Sequence, residues 1–178
     1  MTPDLSIRPG RPDDASRLAV LATQVWLHTY ATDGITTGIA EYVLQELCPE
    51  KYLRILNDPT SQVFVAESGA NLVGLAVVKF DTSCPSGDYS STELQTLYVQ
   101  EHFIGRGAGK LLLRAAEAEV RRRSNTVLWL TVNAQNARAI AFYTHQGYTK
   151  VGTTHFVLGE GRYENHVLVG TEVQRCVL

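Results

Sequence analysis

The chain carries LQTLYV at residues 94–99, FIGRGAGK at 103–110 and LLL at 111–113. This order predicts a strand, a tight turn and the first turn of a helix. The turn at residues 104–110, called the glycine turn below, has a glycine at every second position from 105 to 109. Glycine lets a backbone bend sharply and approach a ligand closely. Because the N–H groups and the dipole of a helix start attract anions, the run predicts a site for a phosphorylated ligand.

Two common phosphate-binding motifs fit this turn poorly. A P-loop requires Gly-x-x-x-x-Gly-Lys-Ser/Thr, but Leu111 follows Lys110 and Ile104 occupies the position of the first glycine. A dinucleotide-binding fold requires Gly-x-Gly-x-x-Gly after the first strand and an acidic residue at the end of the next strand. Here the spacing is Gly-x-Gly-x-Gly, and the next predicted strand ends at Asn133. A nucleotide-dependent enzyme is therefore the less favoured interpretation.

The remaining sequence predicts a mixed sheet flanked by helices. Alternating or continuous apolar runs indicate strands at residues 5–8, 62–67, 72–80, 127–132, 148–155 and 165–170. Helical spacing indicates helices from Pro12 to about Tyr30, over 37–56 with a possible break at Pro49, over 107–123, and after a cap at Asn136. The second helical region is expected to turn Leu44, Leu47 and Tyr52 inward. No linker or repeat divides the chain, so a single domain over residues 1–178 is predicted.

Composition excludes several classes of protein. The 178 residues carry a net charge of −2, whereas nucleic-acid-binding domains are usually basic. No apolar run is long enough to span a membrane, and the first residues do not resemble a signal peptide. The three cysteines, Cys48, Cys84 and Cys176, are odd in number and widely spaced, which predicts reduced thiols and neither a disulfide framework nor a metal site. These features together predict a cytoplasmic protein with no membrane or nucleic-acid partner.

A second motif, NARAIAFYTHQGY at residues 136–148, follows the first at a characteristic distance. The two motifs together resemble the GNAT superfamily of N-acetyltransferases. The similarity in the order of elements covers nearly the whole chain, and the motif-level match covers roughly residues 93–148. The resemblance implies a mixed, mostly antiparallel sheet of about six to seven strands flanked by helices. It also implies that strand 93–99 splays away from strand 127–133, and that the activity is acetyl-CoA-dependent N-acetyl transfer.

The resemblance also implies how acetyl-CoA binds. The pyrophosphate is expected on the glycine turn, whose residues are Ile104, Gly105, Arg106, Gly107, Ala108, Gly109 and Lys110. The family motif begins with Arg or Gln where this chain has Ile104. We expect little loss, because backbone N–H groups do most of the work in such a turn and Arg106 or Lys110 can supply charge. The pantetheine arm is expected along Leu97, Tyr98 and Val99, and Asn136 resembles the asparagine that contacts this arm.

The chemistry needs a base for the amine and an acid for the departing sulfur. Deprotonating a primary amine of pKa about 10.4 costs roughly 4.6 kcal/mol at pH 7, against roughly 1.4 kcal/mol for an α-amino group of pKa about 8. Glu93, at the start of the strand that bears the cofactor, is the candidate base, directly or through water. An exposed charge at Glu93, with a chain of waters as the base, is the alternative. Tyr143 resembles the family tyrosine that protonates the sulfur. Its alternative role is packing the helix on the sheet.

The acceptor is less well specified by the sequence. In the family, the N-terminal helices usually wall the acceptor site, which makes Trp26, Tyr30 and Asp33 weak candidates for substrate contacts. Core packing is the alternative for the two aromatic residues. A small primary amine, with a polyamine-like acceptor as one possibility, is the leading hypothesis. Peptide N-terminal acetylation and a non-catalytic acyl-CoA-sensing domain remain open, and the final strands could pair across a homodimer.

Overall fold

The computed structural model describes residues 4–124, 126–159 and 161–171. The strands and helices follow one another in the order expected from the sequence, with short 3-10 helices at Pro12–Asp14 and Glu101–Phe103. The principal elements are β1 (Leu5–Pro9), α1 (Ala15–Tyr30), α2 (Thr37–Glu46), α3 (Pro49–Asn57), β2 (Ser61–Ser68), β3 (Asn71–Lys79), β4 (Glu93–Val99), α4 (Ala108–Ser124), β5 (Trp129–Asn133), α5 (Ala137–His145), β6 (Tyr148–Leu158) and β7 (Gly161–Gly170).

The strands form one sheet in the order β1-β2-β3-β4-β5-β7-β6. The pairs β1–β2, β2–β3, β5–β7 and β6–β7 are antiparallel, and β4 pairs with β5 in parallel. The parallel register consists of Glu93 opposite Trp129, although both strands continue beyond this pair. The predicted mixed, mostly antiparallel sheet of about six to seven strands is confirmed.

The chain divides into two compact units. The first unit comprises Met1–Lys79 and Gln95–Ala116, and the second comprises Phe80–Leu94 and Glu117–Leu178. Each is described by itself below, and the single domain expected from the sequence stays a prediction.

In the first unit, α1 packs on α3 and β3, and α3 packs on β2. Pro49 is the first residue of α3, so the predicted break in the second helical region is confirmed. The inward placement of Leu47 and Tyr52 is also confirmed, but that of Leu44 is wrong, since 75% of its surface is exposed. The buried residue of α2 is Ile39, and a helix turns by about 100° per residue, which puts Leu44 on another face.

The second unit is built on β5, β7 and β6, with α5 against β6. On one side of the strands, Cys84, Trp129, Val167 and Val169 form an apolar cluster. The segment 81–92 supplies Cys84, and its Thr82 carbonyl accepts a hydrogen bond of 2.9 Å from the Trp129 indole. This segment therefore covers the strand face that carries Trp129.

Two further expectations concern the environment of the protein. Cys48 and Cys84 are free thiols, and Cys176 lies outside the described residues. Within the described ranges, no helix has the length and apolar character that crossing a bilayer requires. The cellular compartment stays a prediction.

Candidate active site

The glycine turn follows β4 in the first unit and is shaped by its own backbone. The N–H of Ile104 donates to the carbonyl of Glu101 at 3.1 Å, and the N–H of Arg106 donates to the carbonyl of Phe103 at 3.3 Å. Gly105 and Gly107 have φ angles of +76° and +94°. Because this left-handed region is unfavourable for residues with a Cβ atom, glycine is required at both positions.

The turn leads directly into the N-terminal end of α4. The N–H of Leu111 donates to the carbonyl of Gly107 at 3.0 Å, which is the first bond of the helix ladder. The N–H groups of Ala108, Gly109 and Lys110 therefore precede that ladder. A Cβ atom built on Gly105 or Gly107 would meet no other atom within 4 Å, so the turn opens to one side. Clustered N–H donors at a helix start beside open space fit the diphosphate of coenzyme A.

Side-chain charge at the turn comes from positions other than 104. Ile104 is half-buried and apolar, whereas Arg106 and Lys110 are exposed. The Arg106 guanidinium lies 5.4 Å from the centre of the Phe103 ring, a cation–π distance. The sequence-based expectation that Arg106 or Lys110 can replace the missing charge stays a prediction, and both residues are exposed to solvent.

The last residues of β4 present backbone groups away from β3. The N–H of Gln100 donates to the carbonyl of Val73 on β3 at 2.9 Å. The carbonyl of Tyr98 lies 3.0 Å from where a Cβ atom on Gly74 would be, so it also faces β3. Because carbonyls alternate in direction along a strand, those of Leu97 and Val99 point away from β3. An extended ligand arm could therefore hydrogen-bond to these two carbonyls, as an added strand bonds to the edge of a sheet.

Tyr143 lies on α5 in the second unit and is 8% exposed. Its ring is 5.2 Å from that of Phe142 and 5.7 Å from that of Tyr148, both measured between ring centres. Burial raises the pKa of Tyr143, so the phenol keeps its proton at neutral pH and can donate it.

Asn136 begins α5 as the sequence predicted. Its Oδ1 accepts a hydrogen bond of 3.0 Å from the N–H of Ala139, which caps the helix. The predicted contact between Asn136 and the cofactor arm stays a prediction. The cap uses only the carbonyl oxygen of the side chain.

Glu93 begins β4 and belongs to the second unit. It pairs with Trp129, whose N–H donates to the carbonyl of Thr92 at 3.0 Å. Residues opposite one another in a sheet project to the same face, so Glu93 shares the face of Trp129. Glu93 is half-buried, and this burial raises the pKa of its carboxyl group. A raised pKa moves a carboxylate toward the range in which it works as a base near neutral pH.

The predicted substrate residues of the N-terminal helices do not share one environment. Trp26 is 2% exposed and stacks on Tyr42 at 4.8 Å between ring centres. Tyr30 lies 4.9 Å from the Trp26 ring and is half-buried, and burial raises the pKa of its hydroxyl. Asp33 is exposed in the turn after α1. Trp26 is thus part of the packing of the first unit, and a substrate role for the three residues stays a prediction.

The sequence alone assigned no role to Tyr148, whose ring lies beside that of Tyr143. The Tyr148 hydroxyl donates a hydrogen bond of 3.2 Å to Oε1 of Glu117 on α4. The only signal available was the second aromatic residue five positions after Tyr143, at the end of the second motif. No sequence pattern connects Tyr148 to a glutamate on another helix.

Comparisons with known proteins agree with this geometry. The model of the acetyltransferase (GNAT) family matches residues 25–148. An uncharacterized N-acetyltransferase of Mycobacterium tuberculosis is 28% identical over 156 residues, which cover 88% of this chain and 96% of that protein. The N-alpha-acetyltransferase RimI of the same organism is 33% identical over 104 residues, 58% of this chain and 62% of that protein.

Solved structures show the same fold. The PaiA N-acetyltransferase of Thermoplasma acidophilum, in complex with coenzyme A, superposes with a TM-score of 0.75 at 21% identity. The superposition covers 94% of this chain and 99% of that one.

Proposed function

Because the chain belongs to the acetyltransferase (GNAT) family and is an N-acetyltransferase, we propose that it acetylates the primary amine of a small molecule, with a polyamine-like acceptor as one candidate. The amine attacks acetyl-CoA directly in a ternary complex. One observation carries this proposal: the second unit holds a half-buried carboxyl group, Glu93, and a buried phenol, Tyr143. Burial raises the pKa of both groups, which makes the carboxylate a stronger base than an exposed glutamate and keeps the phenol protonated.

Acetyl-CoA supplies the acetyl group as an activated thioester. The residues proposed to hold its diphosphate are Ala108, Gly109 and Lys110, through their N–H groups at the start of α4. Backbone groups of Leu97 and Val99 are proposed to pair with the pantetheine arm, and Asn136 to contact it. This binding depends on the main chain, which explains how the site can function with Ile104 at the position of the family's usual Arg or Gln.

Glu93 is proposed to act as the base and Tyr143 as the acid. Glu93 accepts, directly or through a water molecule, the proton that the ammonium form of the acceptor loses before its nitrogen attacks. The second proton, which the nitrogen loses as the amide forms, passes to solvent. Tyr143 donates its phenol proton to the sulfur as the carbon–sulfur bond breaks. The thiol and the amide therefore both leave uncharged, and the two side chains exchange protons with solvent before the next turnover.

Peptide N-terminal acetylation is the second candidate, supported by the likeness to RimI. The cost of deprotonation separates the two candidates. An α-amino group needs only about 1.4 kcal/mol of help at pH 7, whereas an alkyl amine needs about 4.6 kcal/mol. A half-buried carboxylate such as Glu93 is more useful for an alkyl amine than for an α-amino group. The presence of Glu93 therefore favours the small amine as the acceptor.

The test is a panel of acceptors mixed with the purified protein, acetyl-CoA and a thiol-reactive dye. Polyamines, amino-acid amines, aminoglycoside-like amines and peptides with free N-termini are compared at equal concentration. Rapid thiol release with one class of small primary amine supports the proposal. Release with N-terminal peptides alone would establish the second candidate, and no release with any amine, despite coenzyme A binding, would indicate a sensing domain.

A further inference from the structure

Tyr148 carries a hydroxyl group that packing alone does not explain. The residue is 3% exposed, and phenylalanine would fill nearly the same space. Burying a hydroxyl costs free energy unless it is hydrogen-bonded. The Tyr148 hydroxyl has such a bond, at 3.2 Å, to Oε1 of the half-buried Glu117 on α4. The second unit therefore holds a partly buried polar contact between β6 and α4.

This contact fixes a ring that already has little freedom. Tyr148 pairs with Gly170 on β7, and a Cβ atom on Gly170 would lie 3.3 Å from both Cε1 and Cζ of Tyr148. The ring thus lies against the β7 backbone, at a place where a Cβ atom would make a tight contact. The same ring stands 5.7 Å from the ring of Tyr143, inclined by 58°. Its hydroxyl end is held by Glu117, so the surface that Tyr143 packs on is fixed at both ends.

We propose that Tyr148 and Glu117 are positioning residues for the Tyr143 phenol. This inference rests on the proposed role of Tyr143 as the proton donor. The bond between Tyr148 and Glu117 sets the tilt of the Tyr148 ring, and that tilt sets where the Tyr143 hydroxyl points. Proton transfer depends on close alignment of donor and acceptor, so a small displacement slows the chemical step. Binding of coenzyme A by the main chain of the glycine turn does not depend on this alignment.

A double-mutant cycle on Tyr148 and Tyr143 tests the proposal. Tyr148→Phe keeps the ring and removes the hydroxyl, and we expect kcat to fall about three- to tenfold with KM for acetyl-CoA changed less than about twofold. In a Tyr143→Phe background there is no phenol left to orient. Tyr148→Phe should then have almost no further effect on kcat. A residue with a merely structural role would lower kcat by the same factor in both backgrounds.

Variants of Glu117 give an independent readout. Glu117→Ala removes the acceptor and should reproduce the fall in kcat seen with Tyr148→Phe. Glu117→Gln keeps a carbonyl oxygen that accepts from the Tyr148 hydroxyl, and it should recover most of the lost rate. Tyr52→Phe removes the hydroxyl of another buried tyrosine and serves as the matched control. Thermal unfolding of each variant shows whether it is folded, and Glu117→Ala substitutes for Tyr148→Phe should the latter fail to fold.

The outcomes separate this inference from the proposed function. If Tyr143→Phe lowers kcat but Tyr148→Phe is neutral, or lowers kcat equally in both backgrounds, the positioning role is wrong and the proposed function stands. If Tyr143→Phe leaves kcat unchanged, the proton-donor role fails, and the positioning role fails with it.

Discussion

The glycine turn of the first unit and the Tyr143 region of the second unit use different parts of the polypeptide. The turn presents main-chain N–H groups whose positions depend on the φ angles of Gly105 and Gly107. The second unit presents side chains, Tyr143 on α5 and Glu93 on β4, whose protonation depends on burial. A main-chain site tolerates a changed side chain but not a changed backbone. A side-chain site is sensitive to the loss of a single oxygen atom.

The largest effect is expected from removing the phenol oxygen of Tyr143. Tyr143→Phe should lower kcat at least about tenfold, because an acid catalyst contributes on the order of a hundredfold or more. The dissociation constant of coenzyme A should be nearly unchanged, since phenylalanine keeps the packing on Phe142 and Tyr148. Steady-state kinetics and calorimetry on the same preparation check both values. A collapse of coenzyme A binding with an unaltered kcat would place Tyr143 in the binding site instead.

A change to the backbone of the glycine turn should raise KM for acetyl-CoA more than it lowers kcat. Gly107→Val puts a β-branched residue at a φ of +94°, where the strain is about 1–3 kcal/mol. We expect KM for acetyl-CoA to rise about tenfold, with kcat at saturation lowered much less. Gly69→Val is the matched control, since Gly69 is in the same unit, has a φ of +59° and also has open space beside it. If both variants raised KM equally, strain in general and not the turn would be responsible.

The pH profile sharpens the role of Glu93. Burial raises the pKa of this carboxyl group, so protonation removes the base as pH falls through that raised value. Activity should therefore decline on the acid side above the ordinary glutamate pKa of about 4.3, and recover as pH rises. Glu93→Gln should lower kcat/KM for the amine about fivefold at neutral pH and abolish this acidic limb, with only the titration of the amine remaining. Glu50→Gln, at an exposed glutamate of α3, should leave the profile unchanged.

The smallest effect should come from the side chain at position 104. Ile104→Arg restores the charge that the family usually has at the start of the turn. If main-chain groups do most of the binding, KM for acetyl-CoA should fall only about two- to threefold, the effect of one exposed charge. Low salt should enlarge the gain and high salt should remove it. An improvement of a hundredfold would mean that the side chain, and not the backbone, dominates in this family.

Short-range sequence patterns were sufficient to predict most of the elements of the fold. Proline at the first position of a helix predicts the start of α3 at Pro49, and an asparagine before a helical run predicts the cap at Asn136. The spacing of glycines predicted the turn before α4, and the structure places two of them at positive φ. Each of these features depends on residues within a few positions of one another, which is why the sequence alone reveals them.

The sequence alone did not predict the features that depend on tertiary packing. Leu44 has the apolar character of a core residue but lies on the exposed face of α2, because five helical residues rotate it by roughly 140° from the buried Ile39. The raised pKa of Glu93 depends on its burial beside β5. The bond between Tyr148 and Glu117 joins residues 31 positions apart. Such contacts are specified by how elements meet, and no local pattern encodes them.

The most direct test of main-chain binding is a titration of the isotopically labelled protein with coenzyme A, followed through its backbone amide resonances. The N–H groups of Gly107, Ala108, Gly109 and Lys110 should shift together and saturate at the dissociation constant found by calorimetry. Pantetheine, which lacks the diphosphate, should leave them in place. If coenzyme A bound with undiminished affinity while these four resonances stayed unchanged, the diphosphate would have to be held elsewhere.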